Sequence, residues 1–345
     1  MAALISLSAC SSGNPTESGS AAPGDGASTG INPGIEVSQE VLDAASAEGT
    51  VVVYTALPDE VMGRVVQDFG QRYGISLSYL RAPSGTVAQR FLSENSAGAP
   101  VADVVSVAEE SFFQTELENG TFAELSEEAF PAMAQYEDDD AFIFNAFRVS
   151  TNPYLIAWNT DVIPAEDAPT SYEDLADARF EGQLGAPRWD ASLSYPRVLD
   201  FFSNEFGDEW LSDFTALNPR SFDSVVPGLQ ALGAGEIGVY PIATTTYLQP
   251  LLDQGAPIGT LMPNPTTGYS ENIAISSTAP HPNAAAVFLN YIMSEEGQRV
   301  VNGSTSVSLL PGASEVELPE GYVTPPVSVD PERTAELYSL VGVDR

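Results

Sequence analysis

A chain of 345 residues is too long for one small hydrophobic core, and a hydrophobic share of 43% supplies enough apolar surface to pack two lobes. Forty-eight acidic residues against twelve basic ones, all arginine, give a formal charge of −36, which repels a phosphate backbone and excludes nucleic acid as a partner. A single cysteine, Cys10, and a single histidine, His281, exclude an internal disulfide and a Cys/His zinc site, and leave a Ser-His-Asp triad only a solvated histidine in "APHPNAAA".

In chain order, "MAALIS" is a short apolar run without a preceding basic residue, and Leu7-Ser8-Ala9-Cys10 after it resembles a lipobox, in which small residues admit a peptidase and the cysteine is lipidated. Residues 1–10 are therefore expected to be a leader ending at Cys10, placing the protein outside the cytoplasm and anchored to the cell membrane through lipid. Residues 11–40, dominated by Ser, Gly, Pro, Thr and Ala, cannot bury enough surface to fold and are predicted to be a flexible tether. A strand "TVVVYTA" follows, then a helix "DEVMGRVVQDFGQRYG" with Met62, Val65, Val66, Phe69 and Tyr73 at helical spacing and Gly74 as its cap. The strand "ISLSYLRA", a helix that Ser84 is placed to cap, and the strand "ADVVSV" complete a βαβαβ unit, which implies a right-handed parallel sheet.

"FRVSTNPYLIAWNTDVIP" is strand-like with a Pro break and suits a crossover into a second lobe. "SYEDLADARFEGQLGAP" predicts a helix, a turn and a strand, and "SVVPGLQALGAGEIGVYPI" a helix and a strand. "APIGTLMPNPTTGYSENIAISS" reads as two extended segments returning to the first lobe, and "HPNAAAVFLNYIMSEEGQRVV" as a strong helix. The lobes expected from this order are residues 48–148 plus 258–303, and residues 149–257 plus 304–345.

"GAGEIG" matches the dinucleotide pattern letter for letter, but its glycines follow a helix and precede a strand, so no helix N-terminus meets a pyrophosphate. At the other strand ends, "PSGT" offers the Ser84 hydroxyl and the Gly85 amide, either as an anion site or as a plain helix cap. "AEESFF" places Glu109 and Glu110 as cation or amine ligands, or as a solvated first-turn pair. "APRWDASLSY" combines Arg188, Trp189, Asp190 and Tyr195, as binding chemistry or as a local Arg-Asp pair. "ATTTY" sets Thr245, Thr246 and Tyr247 after a strand, as a ligand wall or a helix start.

Four stretches together resemble the iron-type extracellular solute-binding proteins of ABC importers: "VVVYTALPDEVMGRVVQDFGQRYGI", "NPYLIAWNTDVIP" followed by "PTSYEDLADARFEGQLG", "LQALGAGEIGV" and "HPNAAAVFLNYIMSEEGQ". The resemblance covers about residues 48–310. It implies an α/β, two-lobed type II periplasmic-binding-protein fold, with parallel-core sheets joined by crossing hinge strands. It also implies a monomer without cofactor or enzymatic activity, which traps a small molecule or ion by hinge closure and presents it to an ABC permease. Ser84 and Gly85 are expected to face the ligand from one lobe and Arg188, Asp190, Thr245, Thr246 and Tyr247 from the other, joined by Thr55, Glu109 and Tyr269.

Ferric-binding members carry a histidine or polar residue after the first strand and a tyrosine pair after the strand equivalent to "IGVYPI". Here Leu57 and Pro58 occupy the first place and Thr245 and Thr246 the second, with Tyr247 one position late. Threonine hydroxyls do not ionise near neutral pH, so the expected ligand is a small polar organic solute with an anionic group, such as a phosphonate or phosphate ester. Ferric or another metal ion on a regrouped Glu109, Tyr195, Tyr247 and Tyr269, a surface hydrolase, and a non-transport surface protein are the alternatives.

Overall fold

A computed structural model describes residues 36–137 and 139–343; Cys10, its leader and the expected tether as far as residue 35 lie outside the described residues. Ser38 accepts a hydrogen bond from the Val41 amide and opens helix α1 (Gln39–Glu48), so the last residues assigned to the tether are ordered. Only Ala45 of α1 is buried, which leaves little periodicity to detect; its terminal Glu48 accepts from the Ala284 amide at 2.7 Å and caps a helix far along the chain.

The chain continues through β1 (Thr50–Thr55), α2 (Asp59–Tyr73), β2 (Ser76–Arg81), α3 (Ser84–Ser96), β3 (Val104–Val107) and α4 (Glu110–Leu117). Then come β4 (Phe142–Ile143), β5 (Ala146–Pro153), β6 (Leu155–Asn159), β7 (Gly185–Pro187), α5 (Tyr195–Phe206) and α6 (Asp208–Ala216). These are followed by β8 (Arg220–Phe222), α7 (Val225–Gly233), β9 (Val239–Ala243), α8 (Thr245–Asp253), β10 (Ile258–Leu261) and β11 (Gly268–Ile275). Helices α9 (Pro282–Met293), α10 (Glu295–Asn302) and α11 (Pro331–Leu340) complete the described fold. Among the described residues no helix is long and apolar enough to cross a membrane.

The first lobe is a six-stranded sheet in the order β2-β1-β3-β11-β5-β4. Strands β2, β1 and β3 are parallel, as crossover helices α2 and α3 require, and β11 enters antiparallel between β3 and β5. Val61, Met62, Val65 and Phe69 form the buried stripe of α2 on one face of this sheet; Val87 and Phe91 of α3 pack on the other. In the second lobe β10, β6 and β9 are antiparallel, with the parallel pair β7–β8 joined to β9 by the Leu184–Val239 bridge. Parallel pairing therefore involves three strands of the first lobe and, in the second, only the short β7–β8 pair and its bridge to β9.

Two boundaries differ from the sequence reading. Ile258–Leu261 pairs with Asn159–Ile156, so the chain returns to the first lobe only after residue 261. "SYEDLADARF" forms two 3-10 turns instead of a helix, because Asp177 accepts from the Arg179 amide and starts a second turn where a helix would continue.

Three segments cross between the lobes and bond to one another. The Tyr154 amide donates to Thr267 O at 2.8 Å, Thr266 Oγ1 to Tyr154 O at 2.9 Å, and the Val323 amide to Thr266 O at 2.8 Å. At this hinge a Cβ on Gly268 would collide with the carbonyl oxygen of Asn152, a backbone atom that cannot rotate away. Gly268→Ala is expected to destabilise the protein by about 2 kcal/mol, read as a lower urea midpoint; an unchanged midpoint would show that the hinge strands separate freely.

Candidate ligand-binding cleft

The carboxyl ends of β1, β2 and β3 open toward the second lobe, the position where open α/β sheets take their ligands. There a cavity of about 270 Å³ lies between the lobes. Pro58, Asp59 and Arg81 line it from the first lobe; Gln230, Thr246 and Tyr247 line it from α7 and α8 of the second. A smaller recess adjoins it at Pro58, Thr246 and Tyr247 and runs inward to Asn152, Tyr269 and Glu271.

Glu271 of β11 lines this recess, is 3% exposed, and accepts from Ser106 Oγ of the neighbouring strand at 2.7 Å. Burial pushes its carboxyl up to about 8; the Ser106 bond opposes this and the nearby charge of Glu109 adds to it. Glu109, at the start of α4, is also buried, and loss of water raises its carboxyl despite opposing interactions with its own amide, Ser84 and Arg197. Its Oε1 accepts from Ser192 Oγ of the second lobe at 3.4 Å, while its buried Oε2 has no partner among the described residues.

Two tyrosines meet in the recess. Tyr247 and Tyr269 both line it, and burial raises the hydroxyls of both, Tyr269 far above its ordinary value. Tyr195, pushed up to about 12 by burial, also feels Tyr247 and Glu109. The cleft thus draws Tyr195 and Tyr247 from the second lobe toward Glu109, Glu271 and Tyr269 from the first.

Arg81 supplies the opposite sign. Its guanidinium is exposed at the cavity wall and makes neither an ion pair nor a hydrogen bond with any described residue. Every other described arginine is held, Arg64 by two carbonyl oxygens and the rest by carboxylates. Beside the cleft, Glu110 joins Arg148 of β5 at 3.1 Å and Arg197 of α5 at 4.0 Å, a buried ion triad that links the lobes.

Of the residues expected from the sequence, the structure brings Thr246, Tyr247 and Tyr269 together in the recess, while Glu109 lines neither cavity and bonds to Ser192 across the lobes. Thr55 is fully buried at the end of β1 and accepts from the Leu57 amide at 3.0 Å, shaping the turn that carries Pro58. Ser84 is the first residue of α3, not its cap, and its Oγ accepts from the Ala108 amide at 3.3 Å; Gly85 beside it is exposed. Thr246 donates to Asn152 Oδ1 at 2.8 Å, so its hydroxyl fastens α8 to the hinge, while Thr245 lines neither cavity.

Arg188 and Asp190 do not join the cleft. They pair with each other at 2.8 Å on an exposed edge after β7, with Asp223 also on Arg188, because the β7–β8 pair carries them away from the cavity. Trp189 turns inward instead and packs edge-on against Tyr195. Sequence reasoning missed Arg81, Asn152 and Glu271. The available signal was a charge at a strand end in "YLRAPS" and a lone carboxylate inside the buried run "YSENIAIS".

A two-lobed fold with three crossing segments and a polar cleft between the lobes defines a type II solute receptor. The sequence pattern of the bacterial extracellular solute-binding proteins matches residues 64–335, and the chain belongs to that family. Solved structures show the same fold. The substrate-binding protein of an ABC transporter from Agrobacterium tumefaciens has a TM-score of 0.73 at 15% identity, covering 87% of this chain and 96% of that one. Iron-bound HitA from Pseudomonas aeruginosa has a TM-score of 0.68 at 19% identity, covering 85% and 98%. AfuA from Actinobacillus pleuropneumoniae, with fructose-6-phosphate bound, has a TM-score of 0.64 at 18% identity, covering 86% and 97%. The chain is an extracytoplasmic solute-binding component for ABC import.

Proposed function

We propose that the protein captures a small polar organic solute carrying an anionic group, of the phosphate-ester or phosphonate class, and presents it to its permease as a monomer without catalysing a reaction. The observation that carries this reading is Arg81: in a chain of charge −36, its guanidinium enters no ion pair with a described residue and faces the cavity, which Asp59 and Glu60 also line. An exposed arginine of this kind suits bidentate recognition of a phosphoryl group. The sugar phosphate bound by AfuA is consistent with it. In the same reading Cys10 carries the lipid that holds the receptor at the membrane.

The test is calorimetric titration with phosphate esters and phosphonates, fructose-6-phosphate included. A ligand at about 100 times its Kd stabilises the fold by about 2.7 kcal/mol. Arg81→Ala is expected to weaken a phosphate ester about 10- to 100-fold with little change in the ligand-free melting temperature. Equal affinity in the variant would remove the anion from this site.

A second reading is favoured by the Tyr247–Tyr269 pair beside Glu109 and Glu271, which are hard oxygen donors suited to a ferric ion as cargo. The iron held by HitA belongs to the same fold. Colour appearing on ferric titration, and lost in Tyr269→Phe, would favour iron over the organic solute.

A further inference from the structure

The inner recess poses a problem that an anionic ligand leaves untouched. Glu271 is 3% exposed and Glu109 is 8% exposed, and the two carboxylates lie close enough to disfavour each other's charge. Ser106 supplies one neutral donor to Glu271 and Ser192 one to Glu109, which leaves Glu109 Oε2 buried and without a partner. The buried cations nearby are committed elsewhere: Arg148 and Arg197 both hold Glu110. Arg81 stands at the wall of the outer cavity, while Glu271 closes the inner recess. Arg81 favours the charged form of Glu271 and Arg197 that of Glu109, but neither bonds to them, and a buried carboxylate pair without a bonded counter-charge is costly unless a proton or a cation completes it.

Resting on the reading of Arg81 as an anion site, we infer that the recess is a subsite for a primary ammonium group, held by Glu271 with the buried carboxylate of Glu109 behind it, so that the captured solute is a zwitterion with its anionic end at Arg81. An ammonium offers three donors on a compact head, which matches a narrow recess lined by Glu271, Tyr247 and Tyr269, all of them oxygen acceptors. A neutral or purely anionic solute would leave these acceptors either protonated or uncompensated. The opposed signs at the two ends of the cleft would also fix the direction in which the solute lies.

The experiment compares two probes that differ by one amine, 2-aminoethyl phosphate and ethyl phosphate, titrated into wild type, Glu271→Gln and Glu109→Gln. The amine is expected to tighten binding about ten-fold or more in the wild type, and this advantage, read as the ratio of the two affinities within each protein, is expected to shrink toward unity in Glu271→Gln. Glutamine retains an acceptor for Ser106, and Glu109→Gln provides an independent reading should Glu271→Gln fold poorly. Equal or tighter binding of ethyl phosphate by the wild type, or an amine advantage unchanged in both variants, overturns the inference. If neither phosphate binds, the anion site fails separately. Putrescine or ethanolamine binding that is lost in Glu271→Gln would then support the ammonium subsite, and absence of binding by both amines would overturn it.

Discussion

Glu110→Ala is expected to lower the free energy of unfolding by about 3–5 kcal/mol, the loss typical of breaking a buried ion pair from one side. Arg148 and Arg197 have side chains only 11% and 4% exposed, and Glu110 is the carboxylate that both contact. Removing it strands two guanidinium groups where water is scarce, and Arg148 Nε already lacks a partner. Arg197 keeps long contacts of 3.4 Å to Ser194 Oγ and Pro326 O, which are neutral acceptors and do not replace the lost charge. Replacing all three members by methionine is expected to be far less destabilising, because no unpaired charge then remains buried. Urea unfolding followed by far-ultraviolet circular dichroism separates the outcomes. A loss under about 1 kcal/mol in Glu110→Ala would show that water reaches both arginines, and the triad would not then act as a buried tie between the lobes.

Glu271→Gln is expected to stabilise the ligand-free protein at alkaline pH and to leave it nearly unchanged in acid. The unfolded carboxyl titrates near 4.5 and the folded one near 8, so the folded chain holds its proton over a range where the unfolded chain has released it. The favourable contribution of the buried neutral acid is complete below about pH 4.5, declines as pH rises from 4.5 to 8, and is gone above 8. The groups that face this carboxyl are Ser106 and Glu109 from the β3 end, Arg81 from β2, and Tyr247 and Tyr269 across the recess. Of these only Arg81 is a cation, and it does not offset the loss of water. Glutamine has no proton to lose, so the variant avoids the decline and is expected to exceed the wild type by a few kcal/mol at pH 8.5. Melting temperatures of both proteins from pH 4 to pH 9 test this. Parallel curves would mean that the cleft opens and hydrates Glu271 without cost.

The two results bear differently on transport. The triad concerns the closed arrangement of the lobes, whereas Glu271 concerns what the closed cleft is built to receive. A receptor that buries two neighbouring carboxyl groups, one of them holding its proton up to about pH 8, gives up stability at alkaline pH at a site that a cationic group can restore. That cost is a reason for the residue to be functional, since a leucine at the same place would pack without it.

The βαβαβ opening, the amphipathic face of α2 and the helical character of "HPNAAAVFLNYIMSEEGQRVV" were legible in the sequence because each depends on spacing within one or two turns or along one strand, whereas the break at Ser294 that divides the last into α9 and α10 was not. The same holds for the rejection of "GAGEIG": helix α7 precedes those glycines and β9 follows them, an order set by local pattern. The Arg188–Asp190 pair was also readable as two oppositely charged neighbours. Its exclusion from the cleft was not, because the edge on which it sits is decided by how β7 pairs with β8.

Glu271 shows the limit most clearly. In the sequence it is one acidic residue among 48 in a strongly anionic chain. It becomes a buried, proton-holding group only when β11 inserts beside β3 and places it against Ser106, 165 positions away. Arg81 is likewise ordinary until every other described arginine is found to be held. Composition and periodicity alone determined the class of fold and the strand ends that carry the site, because hydrophobic burial follows local spacing. Tertiary structure alone decided which charges share that site and which are left unpaired, because the energy of a charge depends on water and neighbours that chain order does not specify.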